Sequence, residues 1–275
     1  MLYPIGHYYS PIISIPEVKQ REEQIWRGAS IDGLSGIDLN AEEQVSLVGS
    51  LTQYYHDVPF TKEKEHLRYY YNNGMFNSSD ATLLYSMIRH YSPKRIIEIG
   101  SGFSSAVMLD TRQLFNNDLQ LTFIDPEPQR LQSLLVDGEP AIKIIPNIVQ
   151  TVDLSIFEEL EENDILFIDG SHVSKTGSDV NHVLFEILPR LEVGVIIHFH
   201  DVFYPFEYPK AWVWEGRSWN ENYILRAFLT QNNNYKIKLF NHYLYSFHRE
   251  VFKDMAFCYD VCGGSLWIQK ISSKQ

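Results

Sequence analysis

The sequence predicts an α/β protein: a doubly wound, mostly parallel seven-stranded sheet preceded by an N-terminal extension. Three observations carry this. From about residue 79 onward, short apolar runs alternate with helical stretches, the pattern of right-handed crossovers onto a parallel sheet. Four of the runs end in or just before polar residues, Gly100-Ser101, Asp125, Asp169 and His200-Asp201, as expected where strand ends line one ligand crevice. The composition, 44% hydrophobic and 21% charged over 275 residues with 15 Gly and 12 Pro, is that of a globular chain and excludes collagen-like, low-complexity and disordered classes. The length suits one large α/β domain carrying an extension, or at most two domains.

Each element has its own local reason. Ser79 or Asp80 caps a helix carrying Leu83, Leu84, Met87 and Ile88, which stops near Ser92-Pro93. Arg95 to Ile99 forms a strand that runs straight into Gly100-Ser101-Gly102. Leu121 to Ile124 is a second strand, ending at Asp125, and Ala141 to Ile145 a third, broken by Pro146. Asp164 to Asp169 is a fourth, with a carboxylate at its C-terminal end. Ser178 opens a helix whose apolar positions Val180, Val183, Leu184, Ile187, Leu188 and Leu191 share one face. Val193 to Phe199 is a fifth strand, ending at His200-Asp201. A helix over Asn220 to Thr230 and strands near Tyr235 to Phe240 and Ser265 to Ile268 complete residues 79–275. Residues 1–78 lack this rhythm and are rich in Tyr. They form a partly helical extension that packs on the sheet or covers the crevice, as a lid or as the arm of a homo-oligomer.

Charge and cysteine usage narrow the class. Lys plus Arg number 23 against 35 Asp plus Glu, a net charge of −12 that repels phosphate backbones and speaks against nucleic acid as a partner. No apolar run approaches the roughly 18 residues needed to span a bilayer, and Met1 to Pro16 lacks the basic start and apolar core of a signal peptide. Cys258 and Cys262 are too few for a disulfide framework and are expected only to pack, which suits a cytoplasmic protein.

The chemistry concentrates at the strand ends. In Glu98-Ile99-Gly100-Ser101-Gly102 the glycines let the backbone turn tightly and approach a bound ligand. Asp125, 25 residues after Gly100 at the end of the next strand, can accept both hydroxyls of a ribose. Together they indicate a nucleoside-bearing cofactor. Gly100, Gly102 and Ser105 nearly match the dinucleotide motif, but Ser105 stands where a third Gly or Ala belongs, and Glu98 suits a ligand with a cationic end.

The run Ile97 to Ser105 resembles the first motif of class I S-adenosylmethionine-dependent methyltransferases, and Asp125 matches that fold's ribose-binding acid. Phe167-Ile168-Asp169-Gly170-Ser171-His172 is similar to the IDGxH motif of a bacterial group that includes macrocin-type sugar O-methyltransferases. Ile196 to Val202, reading IIHFHDV, is similar to that group's strand ending in His-Asp. The resemblance covers roughly residues 77–270. It implies a Rossmann-like methyltransferase fold, with S-adenosyl-L-methionine held by Glu98, Gly100, Ser101, Gly102, Ser104, Asp125 and Asp169. It also implies that Asp169 and Asp201 fall where related metal-dependent O-methyltransferases place metal-binding carboxylates. His200 departs from that pattern, standing where another acidic ligand is common.

Read as residues alone, two carboxylates from adjacent strand ends with imidazoles beside them suit an oxygen-preferring cation, Mg²⁺ or Mn²⁺. They suit equally a metal-free base, a His oriented by an Asp. Either way Asp169, His172, His200 and Asp201 are the catalytic candidates, with His172 or His200 taking the acceptor's proton. The aromatic, proline-rich segment Phe203 to Pro209, followed by Trp212, Trp214, Arg217 and Trp219, forms an acceptor pocket or lid, or else a hydrophobic strap on the sheet edge. Lys210 and Arg217 would neutralise an anionic acceptor. Asp169-Gly170-Ser171-His172 is not the N/D-P-P-Y/F motif of enzymes that methylate exocyclic base nitrogens. The expected activity is O-methylation of a small-molecule acceptor, a hydroxylated metabolite or a sugar moiety. The alternatives are a metal-using hydroxylase on the same scaffold, a non-catalytic cofactor-binding protein, and a nicotinamide dehydrogenase, which Ser105 and Glu98 fit poorly.

Overall fold

In a computed structural model, residues 2–28, 30, 33–116, 118–136 and 142–273 are described. Runs rich in Ile, Leu and Phe pair into one sheet: β1 (Arg95–Ile99), β2 (Gln120–Ile124), β3 (Ile142–Ile145), β4 (Ile165–Ile168), β5 (Ile196–His200), β6 (Tyr235–Phe240) and β7 (Ser265–Lys270). Their order is β3-β2-β1-β4-β5-β7-β6. The first five are parallel, and β7 enters antiparallel between β5 and β6. β4 and β5 are buried along their whole length, as strands covered on both faces must be, which is why they read as continuous apolar runs rather than alternating ones.

The register positions the site. Ile99 pairs with both Ile124 and Ile168, and Ile168 with Phe199. The residues one step beyond, Gly100, Asp125, Asp169 and His200, therefore stand in one row along the carboxyl edge, where an open α/β sheet binds its ligand.

The main helices are α1 (Ala41–Tyr55), α2 (Ser78–Tyr91), α3 (Phe103–Phe115), α4 over 179–190, and α5 (Glu221–Leu229). Ser178 caps α4 as expected, accepting from the Asn181 amide at 3.3 Å. Within α4, Val183–Ile187 widens into a π-helical turn just before Pro189, which cannot donate to a helix. The cap of α2 differs from expectation. It is Asn77, whose side chain accepts from the Asp80 amide at 3.0 Å. Ser79 and Asp80 lie inside the first turn, where the Asp80 carboxylate accepts locally from the Asn77 side chain at 2.7 Å and over long range from the Gly264 amide at 3.1 Å and the Asn241 side chain at 3.4 Å. β5 begins at Ile196 rather than Val193, after a turn at Gly194 with φ +96°. Ala141, expected to open the third strand, lies outside the described residues.

The extension is packed onto the sheet domain. Val48 and Leu51 of α1 are fully buried, and α1 lies against α2 and β6. Further on, Arg68 pairs with Asp110 of α3 at 2.8 Å, both side chains buried, and the Arg68 and Tyr69 amides donate to the same carboxylate. Among the described residues, no helix is long and apolar enough to cross a membrane.

Candidate active site

The turn after β1 is shaped by its neighbours. Gly100 has φ +81°; its amide donates to the Ile124 carbonyl, and the Asp169 amide donates to the Ile99 carbonyl, each at 2.9 Å. A Cβ on Gly100 would lie 1.9 Å from the Asp169 carbonyl oxygen. The adjacent strand end therefore demands this glycine, whereas ligand approach was the reason expected from sequence. Gly102 is extended, and a Cβ there would meet only the Arg130 side chain, at 3.5 Å. That stretch of the loop borders the cleft.

Ser101 donates to Asp125 through its amide at 2.9 Å and its hydroxyl at 2.7 Å, and the other Asp125 oxygen accepts from the Glu127 amide at 2.7 Å. Asp125 is half-buried on the cleft wall. A carboxylate offers about four lone-pair sites, so capacity for a ribose hydroxyl remains. Glu98 is placed differently from the expected cofactor contact. It is fully buried, does not line the cleft, and accepts from the Ser104 and Ser105 hydroxyls. Burial pushes its carboxyl up to about 8, against the lowering effect of the two serines. Ser105 in turn accepts from the Gly102 amide at 3.0 Å, so the serine in the third-glycine position closes the turn from beneath.

From Asp125 the cleft runs across the row of strand ends to Trp219, enclosing about 1000 Å³. It has the size, the glycine turn at a helix N-terminus and the terminal carboxylate that a nucleoside-bearing cofactor requires, so the residues present fit S-adenosylmethionine.

At its far end Asp169, His172 and Asp201 converge, with one ligand atom from each within 4.8 Å of the others. His172 Nε2 lies 3.4 Å from Asp169 and 3.6 Å from Asp201. His172 and Asp201 both hold φ +58°, left-handed backbone that side-chain-bearing residues adopt rarely and that gathers at functional sites. Burial alone would lower the His172 pKa, but hydrogen bonds and charge from Asp169 and Glu221 outweigh it and push it up to about 10. Without a cation these contacts favour the imidazolium, which speaks against His172 and toward its neighbour His200 as the group that takes the acceptor's proton. His200 lines the cleft, with Nε2 3.6 Å from Asp201. Burial lowers the His200 pKa and the carboxylates of Asp201, Asp169 and Asp80 raise it, with a net rise. The three ligand atoms fit a divalent cation: an octahedral shell with bonds of roughly 2.1–2.4 Å spans about 4.2–4.8 Å.

The aromatic segment divides in two. Tyr204, Phe206 and Tyr208 are buried, with Tyr204 and Phe206 against Phe240, as a strap would be. Trp212, Arg217 and Trp219 line the cleft, with the guanidinium 4.4 Å and 5.0 Å from the two indoles and Trp219 4.5 Å from His172. Lys210 is engaged elsewhere, 2.6 Å from Glu22 of the extension, and Arg217 is paired with Glu215 at 2.9 Å. Sequence reasoning missed Glu221, whose carboxylate meets His172 Nδ1 at 2.9 Å, and the wall formed by Gly74, Met75 and Phe76.

Residues 97–202 match the Methyltransferase domain family (Methyltransf_24). With the fold and the row of strand-end residues, this match defines an S-adenosylmethionine-dependent methyltransferase of class I. The chain belongs to the same family as an uncharacterized protein of Archaeoglobus fulgidus, 43% identical over 170 residues that cover 60% of this chain and 76% of that one. Among solved structures it resembles the SAH-bound Podospora anserina methyltransferase PaMTH1, at 14% identity over 94% of this chain and 96% of that one, with a TM-score of 0.46. It also resembles the Streptomyces achromogenes O-methyltransferase TomG in complex with SAM, at 13% identity over 84% and 90%, with a TM-score of 0.44.

Proposed function

We propose that the chain is an O-methyltransferase for a hydroxyl of a small metabolite or sugar moiety, of the macrocin-type group its motifs resemble, using Mg²⁺ or Mn²⁺. The observation that carries this is the convergence of Asp169, His172 and Asp201 at one end of a cleft whose other end is Asp125.

Gly100 to Gly102, Ser104 and Asp125 would hold S-adenosylmethionine, which supplies a methyl group made electrophilic by its sulfonium. Asp169, His172 and Asp201 would hold the cation, which supplies Lewis acidity toward a hydroxyl. As a ligand His172 would be neutral, its Nε2 proton released to solvent when the cation binds, because only a neutral imidazole has a lone pair to offer. His200, facing Asp201, accepts the acceptor's proton. Trp212 and Trp219 shield the reacting end from water and present flat faces that orient the acceptor, fixing its oxygen for in-line attack. The partner is a small molecule rather than nucleic acid or membrane, which the acidic charge favours. The setting is cytoplasmic, in keeping with two free cysteines.

Calorimetric titration with S-adenosylmethionine, in Mg²⁺ and then in EDTA, followed by a labelled-methyl screen of catechols and sugars, tests the reading. Micromolar cofactor binding in both conditions, with methyl transfer only in Mg²⁺ or Mn²⁺, is expected. Binding of NADH in place of S-adenosylmethionine, or iron- and oxygen-dependent turnover without methyl transfer, would overturn it.

A further inference from the structure

We infer that Glu221 is a positioning residue for the candidate cation site: it holds His172 so that Nε2 faces Asp169 and Asp201. The inference rests on the cation reading above. Glu221 is the first residue of α5, where an acidic side chain ordinarily points to water and complements the helix dipole. Here it is buried, at 4% side-chain exposure, and its Oε2 lies 2.9 Å from His172 Nδ1. A charged group is taken out of water at this cost only when it meets a specific partner. The imidazole Nδ1–H is that partner. With Nδ1 committed as a donor, the tautomer is set and Nε2 is the only ring atom free to ligate, the arrangement by which an outer carboxylate fixes a metal-binding His.

The backbone of the same turn supports the same end. The Asn220 and Glu221 amides donate to the His172 carbonyl at 3.0 Å and 3.2 Å. The Asn222 side chain, fully buried, donates to the Asp201 carbonyl at 3.4 Å. Three consecutive residues thus brace both left-handed residues of the site, and Glu221 alone reaches a side chain of the triad.

The test compares wild type, Glu221→Gln and Glu221→Leu by Mn²⁺ titration followed by electron paramagnetic resonance, with S-adenosylmethionine affinity measured on the same preparations. Gln keeps an acceptor for Nδ1–H and should bind Mn²⁺ within about three-fold of wild type, whereas Leu removes the acceptor and should weaken Mn²⁺ about 10- to 100-fold. Cofactor affinity should stay unchanged in both. If Glu221→Leu binds Mn²⁺ as wild type does while Asp201→Asn does not, Glu221 has no positioning role and the cation reading stands. A loss in Glu221→Gln equal to that in Glu221→Leu, or a parallel loss of cofactor affinity, would also overturn the inference. Wild type that binds S-adenosylmethionine but no Mn²⁺ would remove the cation reading and the inference with it.

Discussion

The carbonyl oxygen of Asp169 lies 1.9 Å from the place a Cβ of residue 100 would occupy, so Gly100 and Asp169 interlock two strand ends before any ligand arrives. The atom in the way is backbone, and it cannot swing aside. The turn proposed to approach the cofactor and the carboxylate proposed for chemistry are therefore one rigid piece.

Gly100→Ala should accordingly destabilise the whole fold, beyond any effect on cofactor binding. Left-handed strain and the backbone clash together should cost about 3 kcal/mol or more. Urea denaturation of variant and wild type measures this, and equal midpoints would remove the interlock.

Asp125→Ala should weaken S-adenosylmethionine about 10- to 100-fold, the worth of one hydrogen bond to a charged group, while leaving Mn²⁺ affinity unchanged. Calorimetry with each ligand separates the two ends of the cleft. An unchanged cofactor affinity would show that Asp125 serves only to hold Ser101.

Glu98 gives the stability a pH dependence of predictable sign. Its carboxyl is raised from 4.5 to about 8 in the folded chain, so the fold binds a proton that the unfolded chain has released over that interval. The stability this contributes is complete below pH 4.5 and is lost as pH rises toward 8. Relative to Glu98→Gln, wild type should lose about 1.4 kcal/mol per pH unit across that window. Denaturation of both proteins at pH 5, 6.5 and 8 would show the difference growing; a constant difference would mean that Glu98 is ionised throughout.

Asp110→Ala should cost about 3–5 kcal/mol, because it leaves the buried Arg68 guanidinium without its carboxylate. The urea midpoint should fall with little change in slope. A shift under about 1 kcal/mol would place this pair among ordinary surface ion pairs.

The sheet could be read from the sequence because its strands are short, apolar and punctuated by polar residues, and the row Gly100, Asp125, Asp169 and His200 follows from register alone. Caps were harder. Asn77, Ser78, Ser79 and Asp80 can all cap a helix, and one contact of Asp80 inside the first turn comes from Gly264, 184 residues beyond it. Glu221 was invisible for a related reason: an acid in the first turn of a helix is ordinary, and nothing nearby shows that a histidine 49 residues earlier will meet it. Glu98 was found but assigned to the ligand, since local sequence does not reveal that Ser104 and Ser105 turn back onto it.

Gly74, Met75 and Phe76 precede the first residue of α2, yet they form part of the cleft wall. Trp26 donates to the Tyr208 carbonyl at 2.9 Å and so ties the beginning of the chain to the segment that carries Trp212 and Trp219. A fragment starting where the alternating rhythm begins would keep every strand and the whole row of strand-end residues. It would also leave the crevice without one of its sides. The unit that carries the complete cleft is thus larger than the sheet, and a boundary drawn at the first alternating strand or helix would cut through its wall.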